Sequence, residues 1–173
     1  MNFFLNQIMA TLIISLIFCS SAMANDVGYF GAGVARVDVS NTADGSDAGD
    51  ANGLILYAGK RLGHIGFELN YFDVGDIDVP NSSVVISGRM TRILASLSTD
   101  PSKELVLFLN FGVAISDLKD SLGTTHTDTE TTIMPGINYS ISSNYSVRAD
   151  YTQYEDLTGV DFDIISFSVN RSF

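Results

Sequence analysis

One histidine in the second half of the sequence lies close to acidic side chains. His126 is followed by Asp128 and Glu130. A histidine–carboxylate pair beside a serine is the minimum arrangement for nucleophilic catalysis. No motif around His126 would hold such groups in register, so an ordinary loop histidine is the favoured interpretation. We therefore expect no catalytic residues and no enzyme.

Acidic residues are concentrated between the apolar stretches. The segment DGSDAGDANG (44–53) invites a calcium interpretation, because hard cations bind several carboxylate oxygens. Its spacing does not match the EF-hand pattern, so solvated acidic loops are preferred, and no metal or cofactor is expected. Lys119 is the one basic residue among these loops. The acidic residues assigned to them are Asp44, Asp47, Asp50, Asp76, Asp78, Asp117, Asp120, Asp128, Glu130, Glu155, Asp156 and Asp161.

A few charges instead fall on the less hydrophobic face of alternating segments. Glu68 lies in IGFELNYFDV (65–74), and Arg148 and Asp150 lie in YSVRADYTQY (145–154). Their neighbours on that face are mostly small or polar. Isolated charges of opposite sign among such residues suit a narrow, packed interior in which each charge has a partner. We prefer a plug of paired charges, and a conducting path lined by the same groups is the alternative.

The elements that position these residues are predicted to be strands. Period-two alternation and the abundance of Val, Ile, Phe, Tyr and Thr indicate strands rather than helices. Pro135 falls inside the sixth segment and predicts a bulge or a local break there. The eight predicted strands are 27–39, 53–62, 65–74, 84–97, 105–116, 129–141, 145–154 and 161–173.

Long and short connections alternate between these strands. This alternation is typical of an up-and-down membrane barrel, with long loops outside the cell and short turns in the periplasm. We predict an all-β fold: an eight-stranded antiparallel up-and-down transmembrane β-barrel. A soluble barrel or sandwich is the alternative. The long connections are 40–52, 75–83, 117–128 and 155–160, and the short ones are 63–64, 98–104 and 142–143.

The composition of the two strand faces predicts which one meets lipid. In 105–116 one face is continuously apolar, whereas the other contains Asn110, Gly112 and Ser116. A closed barrel satisfies every backbone group in hydrocarbon, so the apolar face is expected to point outward. Aromatic residues are expected on that face at the periplasmic rim. They are Tyr29, Phe67, Tyr139, Tyr145 and Phe173.

Three other charged residues carry separate expectations. Arg36 and Asp38 on the first strand are candidates to join the interior charges. Arg89 has outward parity, which at mid-membrane depth would cost about 2–4 kcal/mol. A bulge at Gly88, a side chain that reaches the interface, or a shifted strand boundary would each explain it.

The first 24 residues contain no charged side chain and predict a signal peptide. The apolar run IMATLIISLIFC (8–19) precedes SSAMA, which fits an A-x-A cleavage site. We assign 1–24 to the signal peptide and 25–173 to the barrel domain, and an uncleaved anchor is the alternative. The remaining chain lacks cysteine, so disulfides and thiol chemistry are not expected. A formal net charge of −11 excludes a nucleic-acid-binding protein.

Three segments resemble a known family. GKRLGHIGFELNYFDVG (59–75), GINYSISSNYSVRADYTQY (136–154) and IISFSVNRSF (164–173) resemble the eight-stranded outer-membrane barrels that include the OmpA transmembrane domain. The resemblance implies an interior ionic cluster, whose matching positions are Glu68, Arg92, Asn138 and Arg148. Asn138 replaces an acid, and Asp150 is placed to compensate for it.

The resemblance also implies partners and a role. The terminal Phe173 corresponds to the family's signal for the barrel-assembly machinery. The expected partners are outer-membrane lipid, lipopolysaccharide and an unidentified surface ligand. We predict a small protein of the cell outer membrane with a structural or surface-interaction role, its barrel serving as anchor and its acidic loops as contact surface. A narrow pore is the first alternative and a lipid A-modifying enzyme the second.

Overall fold

The strands form one closed barrel in chain order. The computed structural model describes residues 26–41, 47–78, 85–120, 123–157 and 160–173. Each strand pairs antiparallel with the next, and the last pairs with the first, so the predicted fold class is confirmed. No helix in these ranges is long and apolar enough to cross a membrane. The strands are β1 Asp26–Asn41, β2 Asp47–Leu62, β3 Ile65–Asp78, β4 Val85–Ser98, β5 Leu105–Asp120, β6 Thr125–Ser140, β7 Tyr145–Leu157 and β8 Val160–Ser172.

The apolar face of the strands points away from the barrel interior, as predicted. On β5, Leu107 and Phe111 are 51% and 44% exposed, whereas Val106 and Asn110 between them are buried. The same alternation holds on β8, where Ile165, Phe167 and Val169 are exposed and the serines between them are buried. The result is a continuous apolar belt around a closed wall, which is the arrangement that a bilayer requires.

The two ends of the barrel differ. One end, called the turn end, carries the connections 63–64, 99–104 and 141–144. The other end, called the loop end, carries the connections after β1, β3, β5 and β7. Gly63 in the first turn has a φ of 63°, in the left-handed region that glycine adopts without strain. In the second turn, the Asp100 carboxylate accepts hydrogen bonds from the backbone N–H and the hydroxyl of Ser102, which lowers the Asp100 pKa.

The strands extend further toward the loop end than the sequence predicted. β2 begins at Asp47 rather than at 53, β5 ends at Asp120 rather than at 116, and β6 begins at Thr125 rather than at 129. Part of the predicted long loops is therefore strand. Alternation fails as a signal here because these extensions are mostly polar and offer only Leu118 as a large apolar side chain, while the backbone ladder continues beyond the apolar belt.

The interior is layered. Its turn half contains polar and charged side chains, as predicted. Its loop half is filled by large apolar side chains, which the sequence analysis did not expect among small and polar inward residues. The buried apolar side chains of the loop half include Val37, Val39, Ile55, Phe72, Val74, Ile77, Met90, Leu118, Phe162 and Ile164.

The ladder between β6 and β7 stops halfway. Among the residues that the structure describes, these strands pair only from Gly136–Asp150 to Ser140–Ser146. On its other side β6 pairs with β5 continuously through Pro135. The local break predicted at Pro135 is present, and it affects one of the two ladders.

Candidate functional site: the charged barrel interior

The turn half of the interior is organised around Arg148. This β7 side chain is 5% exposed, and its donors point to two carboxylates. Nη1 and Nη2 donate to Glu68 on β3, at 2.6 and 3.3 Å. Nε donates to Asp150 at 2.8 Å, because residues two apart on a strand share a face. The predicted cluster members Glu68, Arg148 and Asp150 therefore lie together.

Hydroxyl groups complete the coordination of both carboxylates. The Tyr29 hydroxyl donates to Glu68 at 3.0 Å, and the Ser166 hydroxyl donates to Asp150 at 2.6 Å. Buried carboxylates need such partners, because a single ion pair rarely offsets the cost of removing both charges from water. Neither Tyr29 nor Ser166 was predicted from the sequence to belong to this network.

The position of Tyr29 corrects a prediction. Its side chain faces the interior rather than the lipid. The neighbouring residues of β1 include Gly31, Ala32 and Gly33, which give no clear alternation, so the inward phase of this strand was not readable locally. The other predicted rim aromatics, Phe67, Tyr139, Tyr145 and Phe173, are exposed on the outer face.

Two aromatic rings hold the guanidinium of Arg148. Its Cζ lies 4.5 Å from the ring centroid of Tyr57 and 4.4 Å from that of Phe108. These distances are within the range of cation–π attraction. The Tyr57 hydroxyl is itself hydrogen-bonded to Ser168 at 2.8 Å. The arginine is therefore fixed by hydrogen bonds at its edges and by rings over its faces.

A cavity of about 50 Å³ lies between this cluster and the turn end. The cavity is lined by polar side chains on several sides. Its lining includes Tyr29, Arg61, Glu68, Phe108, Asn110 and Arg148. Asn138, which the resemblance placed in the ionic cluster, also lines it; it lies opposite Arg148 in the β6–β7 ladder and accepts a hydrogen bond from Asn170 at 2.8 Å.

Arg92, the remaining predicted member, does not join the cluster. It lies on β4, is 1% exposed, and forms no ion pair with a carboxylate in the described part of the chain. Its Cζ lies 5.0 Å from the Phe72 ring centroid and 5.6 Å from that of Tyr154, and Nη1 contacts the Met134 sulfur at 3.7 Å. Its Nε and Nη2 have no hydrogen-bond partner among the residues that the structure describes.

Other buried polar atoms without partners are present in the interior. They are neutral amide and hydroxyl groups, so none supplies the negative charge that Arg92 lacks. They include the side-chain atoms of Asn70, Asn110, Ser116, Thr132, Thr152 and Tyr154.

The charged residues Arg36 and Asp38 of β1 and Arg89 of β4 lie on the outer face of the barrel. Arg36 pairs with Asp38 at 3.0 Å and with Asp50 at 3.3 Å, and all three side chains are more than half exposed. The expectation that Arg36 and Asp38 join the interior network is therefore wrong. They have outward parity because Ala35 and Val37 point inward.

The outward-facing charge of Arg89 is explained by its position near the loop end of the barrel wall. It is exposed, close to the loop-end start of β4 at Val85, and its Nε lies 3.6 Å from Asp117. The irregularity in the adjacent ladder lies on β3, between Asp73 and Gly75, rather than at Gly88. An ion-paired arginine at the edge of the belt avoids the cost of a charge at mid-membrane depth.

The two remaining candidate residues lie at opposite ends. His126 is exposed on β6, opposite Leu118. Phe173 closes the barrel at the turn end: its backbone N–H donates to Gly28 at 3.0 Å, and its ring lies 6.3 Å from that of Phe30. No cluster of metal-binding side chains occurs within the described ranges.

The comparisons with known proteins agree with this architecture. Residues 10–173 match the outer membrane protein beta-barrel domain, and the chain belongs to that family. It is an outer-membrane β-barrel, which confirms the predicted location. No curated protein matches the chain.

Solved structures share the fold at low sequence identity. Neisserial surface protein A is 17% identical, with 84% of this chain and 97% of that chain covered and a TM-score of 0.67. Ail of Yersinia pestis, in complex with the heparin analogue sucrose octasulfate, is 14% identical, with coverages of 86% and 99% and a TM-score of 0.66. The N-terminal barrel of Pseudomonas aeruginosa OprF is 16% identical, with coverages of 86% and 98% and a TM-score of 0.63.

Proposed function

We propose that the protein is a non-enzymatic anchor of the outer membrane that presents an acidic contact surface at its loop end. The observation that carries this proposal is the filled interior. The Arg148 cluster occupies the turn half, and side chains such as Phe72, Met90 and Phe162 fill the loop half. An eight-stranded barrel is just wide enough for side chains to fill, so the loop end is the part left to act.

The strand extensions at the loop end supply the contact surface. With this end outside the cell, they display more acidic than basic side chains, and the acidic ones include Asp50, Asp76, Asp128, Glu130 and Glu155. Such a surface attracts cationic groups, and divalent cations can link it to the phosphates of lipopolysaccharide. Ail was crystallised with a polysulfated sugar, whereas this surface would repel a polyanion.

Binding of charged probes tests the contact surface. Purified protein in neutral nanodiscs is expected to bind polylysine in a salt-sensitive manner and to leave sucrose octasulfate free. Replacing Asp76, Glu130 and Glu155 by their amides should weaken the polylysine interaction. Asp100→Asn with Glu104→Gln, at the turn end, is the matched control. Preferential binding of the octasulfate would contradict the proposal.

Conductance tests the anchor against the pore. In planar bilayers the protein is expected to show no discrete openings, because the apolar loop half lacks a path for hydrated ions. Openings that change with Arg148→Ala would establish the pore instead.

Lipid A analysis tests the enzyme alternative. The lipid A mass from cells that express the protein is expected to be unchanged, and His126→Ala should behave as wild type. A new lipid A species that disappears with His126→Ala would contradict a non-enzymatic role.

Phe173 is proposed to be the assembly signal. Phe173→Ala should reduce the amount of heat-modifiable protein in the outer membrane, whereas Phe167→Ala, within β8, should reduce it less. Equal losses would show that Phe173 acts only through packing.

A further inference from the structure

The wall of the barrel contains a seam. Here the seam means residues 131–134 of β6 and 151–154 of β7, which face each other above the last β6–β7 pair, Gly136–Asp150, without forming a ladder. Both strands are well paired on their other sides, β6 with β5 and β7 with β8. The Tyr151 hydroxyl also donates to Asp163, which ties the outer face of β7 to β8.

Pro135 lies at the point where the ladder stops and removes one of its donors. Successive residues of a strand direct their backbone groups to opposite neighbours. Ser140 donates to Glu104, on the β5 side, and Ile141 donates to Tyr145, on the β7 side. Residue 135 has the parity of Ile141, so its nitrogen faces β7. Proline has no N–H to donate, and the seam begins at this residue.

The unpartnered arginine lies directly behind the seam. Arg92 contacts one side chain from each strand of the seam, Met134 of β6 and Tyr154 of β7. Thr132 and Thr152, also inward on these strands, have unpartnered hydroxyl groups. A buried cation and hydroxyl donors are therefore separated from the membrane by a stretch of wall in which the described β6 and β7 residues form no ladder.

The free edge of Arg92 defines the chemistry of a ligand. Nε and Nη2 together form the side of the guanidinium that binds a carboxylate through two parallel hydrogen bonds. Both atoms lack partners, and both are enclosed. A ligand must therefore enter by separating the seam strands, which favours a narrow group. The outer side of the seam carries Ile133, 64% exposed, and Tyr151, which suit an acyl chain.

We propose that the seam binds a single-chain carboxylate amphiphile, of the long-chain fatty acid class. Its carboxylate is held by Nε and Nη2 of Arg92, with the hydroxyls of Thr132 and Thr152 as additional donors. Its acyl chain lies along the seam against Ile133 and Tyr151. The bulky head of a two-chain phospholipid is excluded, because the interior around Arg92 is filled.

Electron paramagnetic resonance with a spin-labelled stearate tests the site. The protein is reconstituted in neutral nanodiscs, and the motionally restricted, saturable fraction of the probe is measured at neutral pH. Arg92→Gln is expected to weaken binding about tenfold or more, since the hydrogen bonds lost are to a charged group. Arg61→Gln is the matched control, because Arg61 lines the cavity at the turn end and should leave binding unchanged.

Two further variants and one ligand control separate the effect of entry through the seam from the effect of the Arg92 charge. Pro135→Val, which restores an N–H toward β7, should reduce binding while leaving Arg92 in place. Arg92→Lys, which keeps the charge but loses the two-donor edge, should fall between wild type and Arg92→Gln and also serves if Arg92→Gln fails to fold. The stearate methyl ester should bind without saturation.

Four results would overturn the proposal. They are the absence of saturable stearate binding, equal binding by wild type and all Arg92 variants, equal binding of the methyl ester, and a loss with Arg61→Gln that matches the loss with Arg92→Gln. The last result would place the ligand in the cavity at the turn end.

Discussion

The two buried arginines of the barrel are opposite cases. Arg148 uses Nε, Nη1 and Nη2 to bind two carboxylates, and those carboxylates receive hydroxyl donors from other strands. Arg92 has aromatic rings and a sulfur as neighbours and no carboxylate within ion-pair distance in the described chain. A saturated charge links the strands of the wall, whereas an unsaturated one costs stability and is available to a ligand.

The largest expected effect is the loss of the saturated arginine. Arg148→Met leaves two buried carboxylates without their ion-pair partner and should lower the free energy of unfolding by about 3–5 kcal/mol. Urea titration of protein folded in vesicles measures the free energy of unfolding. The folded fraction is read from the heat-modifiable gel shift, because the chain has no tryptophan to report unfolding by fluorescence. A loss below about 1 kcal/mol, in the range of exposed ion pairs, would remove the distinction between the two arginines.

The next effect concerns the hydroxyl that supports Glu68. Tyr29→Phe removes one donor to a buried carboxylate and should cost about 1.5–3 kcal/mol. Tyr139→Phe, on the exposed outer face, is the control and should change stability by less than about 0.5 kcal/mol. Both follow from the same urea titration. Equal effects would mean that Tyr29 contributes its ring alone.

Arg92→Met sharpens the comparison. Because no carboxylate loses its partner and the orphaned donors are removed, stability should stay within about 1 kcal/mol of wild type or rise. The same vesicle titration tests it beside Arg148→Met. A loss as large as that of Arg148→Met would show that Arg92 has a charged partner in the membrane.

The smallest effect lies at the rim. Hydrogen bonds from Ser102 lower the pKa of Asp100. The stabilisation that the ionised Asp100 carboxylate contributes is therefore present above the usual aspartate pKa and is lost as pH falls through the lowered value. Asp100→Asn should therefore narrow the stability difference between neutral and acidic pH only slightly, since this side chain is fully exposed. Urea midpoints across that pH range, with Glu104→Gln as control, measure the effect.

Local pattern was sufficient for most of the architecture. Alternation predicted eight strands and the outward apolar face, because every second residue of a strand meets the same solvent. Alternation failed where the two faces of a strand do not differ clearly in hydrophobicity. The inward face of Tyr29 was hidden among glycine and alanine residues, and the polar extensions at Asp47 and Thr125 were assigned to loops.

The break at Pro135 was also predictable, because a missing N–H is a property of the residue itself. Which ladder it interrupts was not. That depends on whether the nitrogen points to β5 or to β7, which the phase of the whole strand decides.

The sequence by itself determined the number of strands and the face that most of them turn to lipid, because these depend on residue type and a period of two; in β1, where glycine and alanine hide the alternation, it did not. Only the tertiary structure decided which charges meet. Glu68 and Arg148 are 80 residues apart, and they pair because register and closure bring β3 and β7 to the same height across the barrel. The same closure places Arg92 on another layer, behind the seam, where no carboxylate of the described residues lies within ion-pair distance.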